Sequence, residues 1–261
     1  MYTYLNRLVS FLKGPLSLIL ILVYYNEEEQ GWWYLFLSLG IIASIIDFGI
    51  SSLLTQRISR IYGKTESITE SSQEIKGIFF HFLKYYGRIV IVFILYNIAI
   101  GTLYLETFKA QWYFYSFSLV LYFLFTPFHH VYMGLNRISI VQNALLWGNL
   151  ISACCLLIML YYGLGLWSLG VSVLVNCLMV NIIFLFRTKS FWKILFSTDL
   201  IKIDNIIYLK SLQKKYILSW ICGIIMFNTI IPFISKQYDI VDAGKIGLIL
   251  NLFSFLLSLA V

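Results

Sequence analysis

Eight stretches of this chain are each long and apolar enough to cross a bilayer, and that feature leaves few folds open. They fall at residues 7–25, 31–54, 85–105, 112–133, 144–164, 167–186, 216–234 and 243–261. A membrane-crossing helix needs about 20 mostly apolar residues. The runs are continuous, whereas the strands of a membrane barrel alternate apolar and polar residues. The sequence therefore predicts an all-α polytopic membrane protein with about eight transmembrane helices. Composition agrees: 60% of the 261 residues are hydrophobic and 12% are charged, too little charge to cover so much apolar surface in water. A soluble enzyme, a disordered chain and a nucleic-acid-binding domain are excluded. The first span is no cleavable signal, because it runs into Asn26-Glu27-Glu28-Glu29 without a small-x-small site.

Orientation follows from the basic residues. With the N-terminus in the cytoplasm, 16 of the 19 Lys and Arg fall inside, Arg7 and Lys13 among them; only Lys109, Lys236 and Lys245 fall outside. The acids Glu27, Glu28, Glu29, Glu106, Asp239 and Asp242 lie in the outside turns. Most of the net charge of +7 is thus a topology signal. Two inside loops are longer than the rest, 55–84 and 187–215. The first carries Ser71-Ser72-Gln73-Glu74, which reads as a capping box. Ile75, Phe79, Phe82 and Tyr86 follow at helical spacing, so an amphipathic lead-in to span three is expected at the cytoplasmic surface. The second loop is basic and is expected to touch anionic lipid.

Asp47 is the one acid deep in a span. A buried carboxylate in hydrocarbon is costly and faces a partner or a wet cavity. Gly40, Ser44, Asp47, Ser51 and Thr55 fall within about 80° of one another at 3.6 residues per turn, which makes one small, polar stripe facing the bundle interior. Asp47 reads as a cavity residue or as a structural partner of Arg57 or Arg88. Asn149 and Ser152 in span five, and Ser168, Ser172 and Asn176 in span six, either bond between helices or line a hydrophilic cavity. His129 and His130 point about 100° apart on a helix and cannot easily share a metal. Cys154, Cys155, Cys177 and Cys222 read as packing residues. No Gly-rich phosphate loop or DxD pair is present, so no cofactor or metal is expected.

The run from Tyr25 through Gln30-Gly31-Trp32-Trp33-Tyr34-Leu35-Phe36-Leu37-Ser38-Leu39-Gly40, then Asp47-Phe48-Gly49-Ile50 and Arg57-Ile58-Ser59-Arg60, resembles the opening of O-antigen and polysaccharide translocases. These belong with the multidrug exporters and murein-precursor flippases. The resemblance implies two six-helix bundles related by a parallel repeat. A trace of a repeat is visible, since Ala243-Gly244-Lys245-Ile246-Gly247 echoes Gln30-Gly31-Trp32-Trp33-Tyr34 at an offset of 213. On this reading residues 1–186 form the first bundle, 187–215 a basic cytoplasmic linker, and 216–261 the first two helices of an incomplete second bundle. The chain then looks like a truncated product or partial sequence.

The resemblance also implies a multi-pass protein of the bacterial inner membrane that flips a polyprenyl-pyrophosphate-linked oligosaccharide by alternating access. It would sit beside other polysaccharide-assembly proteins, with no nucleic-acid partner. Position and charge make Arg57, Arg60 and Arg88 the candidate phosphate partners at the cytoplasmic mouth. Asp47, Ser44, Ser51, Asn149 and Asn176 would line the path. The alternatives are a cation-coupled exporter of the same group, a membrane polymerase or acyltransferase, and an inactive remnant.

Overall fold

The computed structural model describes residues 2–45, 50–65, 68–197 and 230–259. Among them are nine α-helices and no strand: α1 (Tyr2–Tyr24), α2 (Glu27–Ile45), α3 (Ile50–Thr65), α4 (Ile68–Ala99), α5 (Lys109–Gly134), α6 (Ile138–Tyr161), α7 (Trp167–Ser197), α8 (Ile230–Gln237) and α9 (Ile240–Leu259). A five-residue π segment, Ile100–Tyr104, closes α4. Four helical stretches are long and apolar enough to cross a membrane: Tyr2–Tyr24, Ser71–Tyr104, Ile138–Tyr161 and Trp167–Lys189. The apolar residues on their outer faces are exposed, as at Leu8, Ile19 and Val23 of α1 and Val92, Leu95 and Ile98 of α4. A surface of that kind belongs in lipid. The protein is all-α and its long apolar helices are those of a membrane-embedded chain.

Local signals explain where the helices start and stop. The box that caps a helix is at Asn26, where Oδ1 accepts the Glu29 N–H at 2.8 Å and Glu29 Oε2 accepts the Asn26 N–H at 3.3 Å. Three glutamates in the first turn of α2 meet the positive end of its dipole. After α5, Asn136 takes a left-handed φ of 57° and Arg137 N–H reaches the Tyr132 carbonyl at 3.1 Å, a standard C-terminal cap.

Two expectations are corrected. The helix expected from Ser71 onward is present but starts earlier: α4 begins at Ile68, ahead of Ser71, which is buried within it, and residues 55–65 of the same expected loop belong to α3. Ser71 is therefore not the N-cap of this helix. The stripe Ile75, Phe79, Phe82 and Tyr86 is real, but it is buried in the protein core with α3, α5 and α7 rather than laid on a membrane surface. The stripe fits that place because α3, α5 and α7 all pack on α4. Residues 187–197, expected in the linker, extend α7. The rest of the linker and residues 216–229 lie outside the described residues.

In lipid, apolar packing gains little over contact with acyl chains, so close approach and hydrogen bonds hold helices together. Both are visible. Trp112 is fully buried and donates from Nε1 to the Asn97 carbonyl at 3.0 Å, joining α5 to α4. Phe79 and Trp192 each set an edge against Phe128, at 5.2 and 5.1 Å, joining α4, α5 and α7. Helix α2 packs on α9 almost backbone to backbone. A Cβ on Gly31 would sit 2.2 Å from the Ile240 carbonyl oxygen, one on Gly244 2.9 Å from Gly31 Cα, and one on Gly247 2.5 Å from Tyr34 Cβ. Gly31 pairs with Gly244 and Tyr34 with Gly247, and each pair is separated by the 213 residues of the sequence repeat. Helices α2 and α9 thus meet with these two echoing segments side by side.

Candidate functional site

Lys13 falls in the middle of α1, eleven residues from each end of Tyr2–Tyr24, or roughly 16 Å at 1.5 Å per residue. It was expected among the inside charges. A lysine at the centre of a membrane helix is costly and marks a wet or liganded site. It lines a cavity of about 240 Å³. Tyr34 of α2, Tyr115 of α5, Ser172 of α7 and Asn251 of α9 share its wall, and Ser17 lies one turn further along α1.

The chemistry of that wall is one-sided. It offers an ammonium, two phenols, two hydroxyls and an amide, with no carboxylate. Among the described residues Lys13 makes no hydrogen bond or ion pair. The Tyr34 hydroxyl is buried with no partner among the described residues, on a residue 3% exposed. The two serine hydroxyls are already committed, Ser17 to the Gly14 carbonyl at 2.8 Å and Ser172 to the Leu169 carbonyl at 2.9 Å. A cation and an orphaned phenol on the wall of one cavity suit an oxyanion, which could accept from both.

The elements around the cavity leave it open on one side. Helix α1 packs on α6 and barely touches α9. Lys13 therefore lies on a cavity whose walls come from α1, α2, α5, α6, α7 and α9.

The sequence-derived candidates are placed elsewhere. Asp47 and the Ser44 side chain lie outside the described residues. Ser51 bonds the Tyr86 hydroxyl across to α4. Thr55 Oγ1, on the same stripe, lies 2.9 Å from His130 Nδ1 of α5, so this part of the stripe does face the interior. Asn149 and Asn176 come together. Asn176 Nδ2 donates to Asn149 Oδ1 at 2.6 Å, and Asn149 Nδ2 donates to Asn6 Oδ1 at 2.5 Å. That chain ties α1, α6 and α7 together. Asn6 was missed because a lone Asn near a terminus carries no pattern.

Arg60 and Arg88 are exposed and Arg57 is half-buried. None of the three lines the Lys13 cavity. Since Ser51 meets Tyr86 and the short 65–68 connection makes α3 and α4 antiparallel, Arg57 and Arg88 lie on opposite sides of that contact, roughly 12 Å apart along the helices. The histidine pair diverges as well: His129 is buried edge-on against Phe184 at 4.8 Å, while His130 faces Thr55. No protein family, curated protein or solved structure matches the chain.

Proposed function

We propose that this chain is part of an inner-membrane flippase for polyprenyl-pyrophosphate-linked oligosaccharides, with eight spans and a cytoplasmic N-terminus. The observation that carries the reading is Lys13, central in α1, sharing one cavity with the Tyr34 hydroxyl, which has no partner among the described residues, in a wall of donors without carboxylates. A pyrophosphate is the anionic part of such a lipid. Lys13 holds it as a point charge in a poorly hydrated site, where screening is weak. The gap where α1 barely touches α9 gives the polyprenyl tail a way to stay in lipid. The Gly31–Gly244 crossing brings the outer ends of equivalent helices together, which suits a site open toward the cytoplasm. No bond in the substrate changes; the chain binds, excludes lipid from the charge and reorients.

The test is transbilayer movement of a fluorescent polyprenyl-pyrophosphate-linked oligosaccharide in proteoliposomes. Lys13→Ala is expected to abolish it and Lys13→Arg to retain part of it, with both variants folded and monodisperse. Movement at the unaltered rate with Lys13→Ala overturns the reading.

A further inference from the structure

A second cleft, of about 180 Å³, opens at the other side of Trp33. Trp33 and Ile21 line both spaces, so they form the partition between the Lys13 cavity and this outer cleft. The walls come from the α1–α2 turn, the start of α5 and the α6–α7 turn: Tyr25, Glu29, Phe108, Gln111 and Trp167 join Trp33 around it. On the charge-derived topology this is the outward face.

The wall combines flat apolar faces with groups that both donate and accept. Trp33 and Trp167 belong to different helices and stand on one cleft. Trp33 is buried, yet among the described residues its indole N–H has no hydrogen-bond partner. The Gln111 amide likewise makes no bond among the described residues. Glu29 Oε2 accepts the Asn26 N–H, which fixes the carboxylate at the rim. The Tyr25 hydroxyl is held by donation to the Leu160 carbonyl at 3.2 Å and acceptance from the Gly165 N–H at 3.0 Å. Phe108 sits at a left-handed φ of 54° and Gly165 at 56°, and both line the cleft.

We infer that this cleft is a binding site for a single sugar ring. A pyranose presents apolar C–H faces, which aromatic planes accept. It also presents hydroxyls that donate and accept, which a carboxylate, an amide and an indole N–H satisfy. An organic cation would use the aromatic faces and Glu29 but would leave the Gln111 and Trp33 N–H groups unmatched. The inference rests on the reading above for the side of the membrane it assigns, and its test does not use transport.

The experiment is saturation-transfer NMR on the protein in nanodiscs, with D-glucose, D-galactose, N-acetyl-D-glucosamine and L-rhamnose as probes and choline as the rival cation. At least one sugar should receive saturation at its ring C–H protons. Trp167→Leu and Gln111→Ala should each weaken that sugar by about fivefold or more, and Gly63→Ala, where an added Cβ meets nothing within 4 Å, should leave it unaltered. Trp167 is 40% exposed, so its replacement spares the core. No saturation of any of the four sugars, choline binding that the same variants remove, or sugar binding indifferent to both variants overturns the inference. Sugar binding without lipid movement would sink the flippase reading and leave this site standing; lipid movement without sugar binding would do the reverse.

Discussion

Replacing Gly31 or Gly244 by Ala should force α2 and α9 apart at their outer ends. A methyl on Gly244 would lie 2.9 Å from Gly31 Cα and 3.0 Å from its nitrogen; one on Gly31 would lie 2.2 Å from the Ile240 oxygen. Carbon contacts settle near 3.5–4.0 Å, so the helices must part by about 1 Å or more. The obstructing atoms are backbone and cannot rotate away. Overpacking of this kind costs about 1–3 kcal/mol, and tenfold in population corresponds to about 1.4 kcal/mol. The crossed arrangement should therefore lose roughly 5- to 150-fold in weight against separated ones. The assay is electron paramagnetic resonance distance measurement between spin labels at Glu28→Cys and Lys245→Cys, both exposed positions, with the four native cysteines replaced. Gly14→Ala is the control, since a Cβ there meets nothing within 4 Å, and it should leave the distance unchanged. A folded Gly31→Ala protein with the control's distance distribution would show that the backbone contact does not hold these helices together.

Lys13→Met removes an unpaired cation from mid-helix and should stabilise the protein in detergent, by up to about 3 kcal/mol, while lipid movement is lost; thermal unfolding of the purified variant checks the first half. Ser51→Ala and Tyr86→Phe should each destabilise by about 1 kcal/mol, and the double change should cost little more than either alone; a thermodynamic cycle from unfolding midpoints shows whether the two are coupled. An impermeant thiol reagent should label Glu28→Cys from outside intact cells and Lys189→Cys only after the inner membrane is opened; labelling of Lys189→Cys in intact cells would reverse the topology.

Much of this protein is written in one dimension. Runs of about 20 apolar residues give long helices because every backbone N–H and C=O must be satisfied inside lipid, and that requirement acts locally. The stripe Ile75, Phe79, Phe82 and Tyr86 was legible for the same reason, since 3.6-residue periodicity is a property of one helix. What that stripe packs on was not legible: a helix face looks the same whether it meets lipid headgroups or α3, α5 and α7. The resemblance at Gln30–Tyr34 and its echo at Ala243–Gly247 marked two alike segments, but their register against each other is a matter of how two distant helices cross.

Lys13 shows the limit most clearly. In the sequence it is, with Arg7, one of two basic residues near the N-terminus, and the positive-inside pattern absorbs it. Only when α1 runs unbroken from Tyr2 to Tyr24 does Lys13 sit at mid-membrane. Only the assembly of α1, α2, α5, α7 and α9 brings Tyr34, Tyr115 and Asn251, up to 238 positions away in the chain, around its ammonium. Charge placement along a chain follows from composition and topology. The surroundings of a charge are decided by contacts between residues far apart in sequence, and those depend on side-chain shape and helix crossing that no local pattern records.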